Sequence, residues 1–149
     1  MHKKQTVQFA VFGIVMALIH FVQCLFRIKA HDVLLTLSAS QSRTDSPLWV
    51  QFSNYGKYTE IAFYTIGIIF MIVIGYRLIY AKIRFRFALA ATVASYLLPA
   101  AVGTVMHFQA KGVSNLMVPV FASFFFALLI IISVGVKRNQ YQKLPSSQK

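Results

Sequence analysis

Four apolar runs, each close to or above the length needed to cross a bilayer, constrain this chain more than any other feature. The first covers 7–26, VQFAVFGIVMALIHFVQCLF, and the second covers 59–81, TEIAFYTIGIIFMIVIGYRLIYA. The third covers 87–108, centred on LAATVASYLLPAAVGTVM, and the fourth covers 116–136, with the core VFASFFFALLIIISVGV. A spanning helix needs roughly 20 apolar residues. In hydrocarbon an isolated strand leaves its backbone N–H and C=O groups unpaired, so each run must be a helix. The fold class expected is therefore all-α, an integral membrane four-helix transmembrane bundle. The 149 residues make one transmembrane domain over 1–149, with no room for a separate soluble domain.

Composition excludes the alternatives. Only 12% of the residues are charged, against about 25% in a typical soluble domain. At 58% hydrophobic the chain is also far from the low hydrophobicity that disorder requires. The single Cys24 rules out an intramolecular disulfide, a CxxC redox pair and a Cys-rich zinc site.

The formal charge of +12 would suggest nucleic acid in a soluble protein. Here the basic residues flank the apolar runs, so they read as a topology signal and no nucleic-acid partner is expected. Lys3, Lys4, Arg77, Lys82, Arg84, Arg86, Lys137, Arg138, Lys143 and Lys149 fall on one side with no acid among them. Arg27, Lys29, Arg43, Lys57 and Lys111 fall on the other, with Asp32, Asp45 and Glu60. The positive-inside bias then puts both termini and the second loop in the cytoplasm of a bacterial inner membrane. The first run follows Lys3-Lys4 and is followed by Arg27 and Lys29 without a small-residue cleavage site, so it reads as an uncleaved signal-anchor.

The connections differ. Loop two is short and basic, which predicts an antiparallel hairpin of spans two and three. Loop one, 27–58, is long for a bundle connection and external on this topology. It contains AHDVLLTLSAS, a possible short helix, and then Ser46-Pro47, an N-cap followed by proline at the first helical position. Trp49, Phe52, Tyr55 and Tyr58 then recur every three residues, which suggests an amphipathic stretch lying in the outer interface. The segment 137–149 is a basic cytoplasmic tail.

At about 100° per residue, Gly13, Ala17, His20, Cys24 and Arg27 share one stripe of span one, opposite Val11, Ile14, Val15, Leu18, Val22 and Leu25. The corresponding stripes are Glu60, Tyr64, Gly67, Met71, Gly75 in span two and Tyr96, Ala100, Gly103, Thr104, His107 in span three. In span four the stripe is Asn115, Pro119, Ala122, Phe126, Ser133. Small residues let helices approach closely and polar ones bond across them, so these stripes should face inward. Pro99 removes the hydrogen bond to the Ser95 carbonyl and should bend span three.

Depth points to one end. His20, Cys24, Glu60, Tyr64, Tyr96, Thr104, His107 and Asn115 are the candidate pocket, gathered toward the outer leaflet from four helices. His20 lies roughly 9 Å below the outer end of its span at the standard rise, where an ionisable group is costly and a functional candidate by default. Mostly apolar walls with a few polar groups suit a lipid-like ligand or a partner helix. The reading favoured is therefore a non-enzymatic binding or accessory protein whose partners are the bilayer and such a ligand or another membrane protein. The alternative is a membrane-embedded enzyme in which Glu60 and a histidine exchange protons with a lipid-soluble substrate. HExxH, GxSxG, P-loop and GxGxxG patterns are absent, and no cofactor or metal is expected. The depths of His20 and His107 differ by about two helical turns, which disfavours haem between them. The topology predicts that reporter fusions at Lys149 and in loop two both read cytoplasmic; a periplasmic signal from either overturns the orientation.

Overall fold

A computed structural model describes residues 2–37, 43, 46–80, 83–110, 113 and 115–143. It contains four helices: α1 His2–Thr36, α2 Pro47–Ile79, α3 Phe85–Gln109 and α4 Val118–Lys143. All four are long and apolar enough to cross a membrane, and no strand occurs among the described residues.

The helices alternate in direction. Arg77 near the end of α2 binds Gln8 near the start of α1, and Arg138 of α4 donates to the Ile83 carbonyl just before α3 at 3.3 Å. At the opposite end, Arg27 of α1 reaches Glu60 of α2 and the Asn115 carbonyl just before α4. Around the bundle the order is α1, α2, α4, α3, because α1 packs on both α2 and α3 and α4 closes the ring. Loop two does not produce a packed hairpin as expected: α2 and α3 barely touch and stand on one diagonal.

Loop one is shorter than its sequence suggests. α1 has 35 residues and α2 has 33, each about 50 Å long at 1.5 Å per residue, against roughly 30 Å of hydrocarbon. The part of AHDVLLTLSAS that is described, up to Leu37, is mostly the last turns of α1 rather than a separate helix, while 38–40 lie outside the described residues. The aromatic stretch after Pro47 is likewise not a flat interfacial helix but the first three turns of α2. Ser46 caps it as expected, accepting from the Trp49 N–H at 3.3 Å, and Pro47 occupies the first turn. Nothing after Pro47 stops the helix, and its rings pack on α1: Phe26 lies 5.2 Å from Tyr55 and 6.5 Å from Phe52, centroid to centroid. α1 and α2 therefore run past the ends of α3 and α4 as a two-helix stalk.

The expected inward stripes hold on α1 and α2. Gly13, Ala17, His20 and Cys24 are buried and Val11, Ile14, Leu18, Val22 and Leu25 are exposed. Gly67, Met71 and Gly75 are buried on α2. On α3 the stripe fails toward its end, where Thr104 and His107 are exposed. On α4 it holds only at its start, where Pro119 is buried. Phe126 and Ser133 face outward, while Val120, Ser123, Ala127 and Ile131 form the buried face. α4 is apolar nearly all round, so in lipid its large rings need no shelter and its small residues set the packing side.

At Gly13, α1 comes close to the backbone of α3. A Cβ on Gly13 would stand 2.9 Å from the Ser95 carbonyl oxygen and 3.2 Å from Ser95 Cα. That carbonyl is the one freed by Pro99, so α1 comes close where α3 has lost a bond. The Ser95 hydroxyl donates across to the Phe9 carbonyl at 2.9 Å and back to Ala91 at 2.8 Å. α3 runs unbroken from Phe85 to Gln109 with Pro99 buried inside it. Around this contact Phe12 stacks on Phe70 at 3.7 Å, and Phe9 meets Phe70 and Phe87 edge-on. Gly13→Val should push α1 off α3 and lower stability by about 1–3 kcal/mol, as overpacking does; the thermal unfolding midpoint in detergent measures this.

Candidate functional site

Charge meets charge at the long-loop end. Arg27, on the inward stripe of α1, donates to Glu60 Oε2 at 2.6 Å, and both side chains are about three-tenths exposed or less. The same guanidinium reaches the Asn115 carbonyl at 3.4 Å. Asn115 itself adopts φ 70°, a left-handed conformation that asparagine tolerates better than most residues. It starts the turn that leads into α4. One arginine thus joins α1 to α2 and to the α3–α4 connection. The carboxylate that a proton-exchanging enzyme would use is held in an ion pair instead of by a histidine.

One to two turns deeper, His20 is 0% exposed. Its Nδ1 lies 3.2 Å from Gln23 Oε1, and its Nε2 lies 3.7 Å from Cys24 Sγ. The ring stands 5.6 Å from Phe63 of α2 and close against Gly103 of α3. Cys24 belongs to a small core with Met106, Ala110 and Leu116. Spacings of three and four along α1 bring these three polar groups onto one face. Gln23 is buried, and its Nε2 has no partner within the described residues.

Deeper still, Tyr96 of α3 and Ser123 of α4 share a hydrogen bond of 2.6 Å beside Gly67 of α2. Tyr64 is half-buried and lines a cleft of about 280 Å³ between α2 and α4. The Thr104 hydroxyl bonds back to the Ala100 carbonyl at 2.8 Å and approaches Met117 Sδ at 3.9 Å. His107 is exposed, with its ring edge toward Phe108. The structure therefore brings His20 to Cys24 and links Glu60 to the turn at Asn115 only through Arg27. It places Tyr96 in a separate pair with Ser123, and it leaves Thr104 and His107 on the outside of α3.

Four residues join these contacts that the candidate set did not include. Gln23 was visible at the right depth, and its i, i+3 spacing from His20 was the available signal. Arg27 was visible on the stripe but reads first as a loop charge. Ser123 could have been found only from the Ser123–Ala127–Ile131 spacing, and Met117 gave no polar signal at all.

The open space lies elsewhere. In the stalk, a cleft of about 430 Å³ is bounded by Arg27 and His31 of α1, Trp49, Ser53 and Lys57 of α2, and Arg43 between them. No carboxylate of the described residues lines it. Two apolar clefts open along the spans, about 450 Å³ between α1 and α2 and about 530 Å³ between α1 and α3. No family model, curated protein or solved structure matches this chain.

The Arg27–Glu60 pair is partly solvated, so its worth is modest. Arg27→Gln and Glu60→Gln should each lower stability by about 1 kcal/mol, and the double variant should lose less than their sum by about 0.5–1 kcal/mol. A double-mutant cycle on detergent unfolding midpoints measures that coupling; strict additivity would deny the bond.

Proposed function

We propose that this is a non-enzymatic binding protein of the membrane, which receives the anionic head of a lipid-like ligand at its long-loop end. The observation that carries this reading is the stalk cleft, lined by Arg43 and Lys57 beside Arg27, whose guanidinium is shared with Glu60. It sits where α3 and α4 end, at the level expected for headgroups. Trp49 and Leu34 add apolar wall beside the charges, and such mixed walls suit an amphiphile. On the topology read from the basic residues this end is external and the termini are cytoplasmic. The site is thus the outer-leaflet pocket displaced outward by about three turns from His20, into the stalk that the long helices build.

The enzyme reading gains no support. Glu60 is engaged by Arg27, and His20 is sealed in the core with its ring nitrogens facing Gln23 and Cys24. A partner-helix reading has one observation in its favour: exposed Ala10, Ala90 and Ala94 flank the groove between α1 and α3.

Native mass spectrometry of the purified protein separates these. The lipid reading expects retained anionic phospholipid in preference to a zwitterionic one. It also expects Arg43→Gln and Lys57→Gln each to weaken retention about fivefold, from about 1 kcal/mol per basic residue near the surface. Equal retention of both lipid classes overturns it, and a copurifying protein subunit without lipid favours the helix partner.

A further inference from the structure

At the end of the bundle opposite the stalk, a groove holds a charge that the chain does not answer. The cleft of about 450 Å³ between α1 and α2 is walled by aliphatic side chains, Val11 and Val15 on one helix and Ile66, Ile69 and Val73 on the other. Among the described residues that line it, only Gln8 and Arg77 are polar, and both stand at one end. From Arg77 to Ile66 the groove runs about 16 Å at the standard helical rise, close to half of the roughly 30 Å of hydrocarbon. It therefore follows one leaflet and ends near the midplane.

Arg77 gives the open end its chemistry. Its guanidinium carries a full positive charge and several N–H donors. Gln8 accepts from it, but an amide brings no charge. The acidic side chains of the sequence are Asp32, Asp45 and Glu60. Glu60, on the same helix, is about 25 Å from Arg77 at the standard rise, and it is held by Arg27. Asp32 lies near the far end of α1, and Asp45 directly precedes Ser46, which caps the far end of α2. Exposed Lys4 adds a second cation on the groove face of α1, one turn beyond Val7 and Gln8. The exposed rings of Tyr76 and Tyr80, 4.5 Å apart, mark this level as that of the headgroups.

We propose that this groove seats one acyl chain of an anionic phospholipid, with the lipid phosphate on Arg77. Two features select that occupant. The walls end after one leaflet, which fits an acyl chain, whereas a partner helix crossing the bilayer needs contact over its full thickness. Arg77 also needs an anion that the protein does not supply, and an apolar helix would cover it without one. A guanidinium and a phosphate can share two parallel N–H···O bonds, which fixes the head at the mouth of the groove. A zwitterionic head would bring its own cation against Arg77 and Lys4, so anionic lipid is preferred. The site lies in the leaflet opposite the stalk and does not depend on the cleft there.

Fluorescence quenching by brominated lipid reads the groove directly, because Trp49 in the stalk is the only tryptophan. In a Trp49→Phe background, Ile69→Trp places a reporter on the exposed rim of the groove, and Leu129→Trp places one on the exposed side of α4 at a similar depth. The proteins are reconstituted in vesicles of phosphatidylglycerol and phosphatidylcholine, with either lipid brominated in turn. Ile69→Trp should show phosphatidylglycerol favoured about fivefold, the weight of one basic residue, and Leu129→Trp almost no preference. Adding Arg77→Gln should cut the preference at Ile69→Trp to that of the control, while Arg77→Lys should keep most of it. Trp49 of the otherwise unaltered chain reports the stalk separately, so the two sites stand or fall independently. Equal quenching by both lipids at Ile69→Trp overturns the proposal, as does a preference there that survives Arg77→Gln or is matched at Leu129→Trp. An Ile69→Trp reporter shielded from both lipids shows the groove filled by protein instead, and overturns it too.

Discussion

No water reaches the hydrocarbon interior to satisfy a polar atom, so a polar atom buried there is costly unless another residue partners it. That constraint fixes three of the helix contacts. Ser95 bonds the Phe9 carbonyl and fixes α1 on α3; Tyr96 bonds Ser123 and fixes α3 on α4; Arg27 bonds Glu60 and fixes α1 on α2. Apolar burial cannot choose these neighbours, because lipid is as apolar as leucine. α2 and α3 stand on the diagonal and barely meet. Small residues then decide how close each polar pair comes, as Gly13 does at Ser95 and Gly67 at Ser123.

How much of this was legible in the sequence depends on which force governed each part. The four spans were legible because hydropathy over about 20 residues is the dominant energy of insertion. The inward faces of α1 and α2 were legible because each carries charged or polar residues at helical spacing, His20 and Arg27 on one and Glu60 on the other. α4 carries no charged marker between Pro119 and Ser133, and its one polar residue there, Ser123, belongs to the face that packs with Val120 and Ala127. The helix ends were illegible for a different reason. Outside the membrane, hydropathy stops discriminating, and α2 begins at Pro47 because Ser46 caps it, not because the chain turns apolar there. The aromatic spacing after Pro47 was read as a surface helix; the same periodicity serves a stalk whose rings grip Phe26.

The candidate site was legible as a list of residues more than as a place. Depth ordering put His20 and Cys24 together correctly, since both lie on one helix and their spacing alone determines their meeting. Pairing between helices was harder. Glu60 was matched with a histidine because both titrate, while Coulomb attraction favours the guanidinium at the same level, and Arg27 was available there. Met117 escaped notice because a thioether is counted with the apolar side chains, although its sulfur is a soft donor.

Two buried groups show what the polar accounting leaves over. Gln23 Nε2 and the Thr92 hydroxyl have no partner among the described residues, and each such group costs about 1–3 kcal/mol when left dry. For Thr92 the structure offers no compensating role. For Gln23 the other end of the amide holds the imidazole of His20 in one orientation. Leucine in its place would fill the same volume without an orphaned N–H, and packing alone would prefer it. What leucine could not supply is the amide oxygen that lies 3.2 Å from His20 Nδ1.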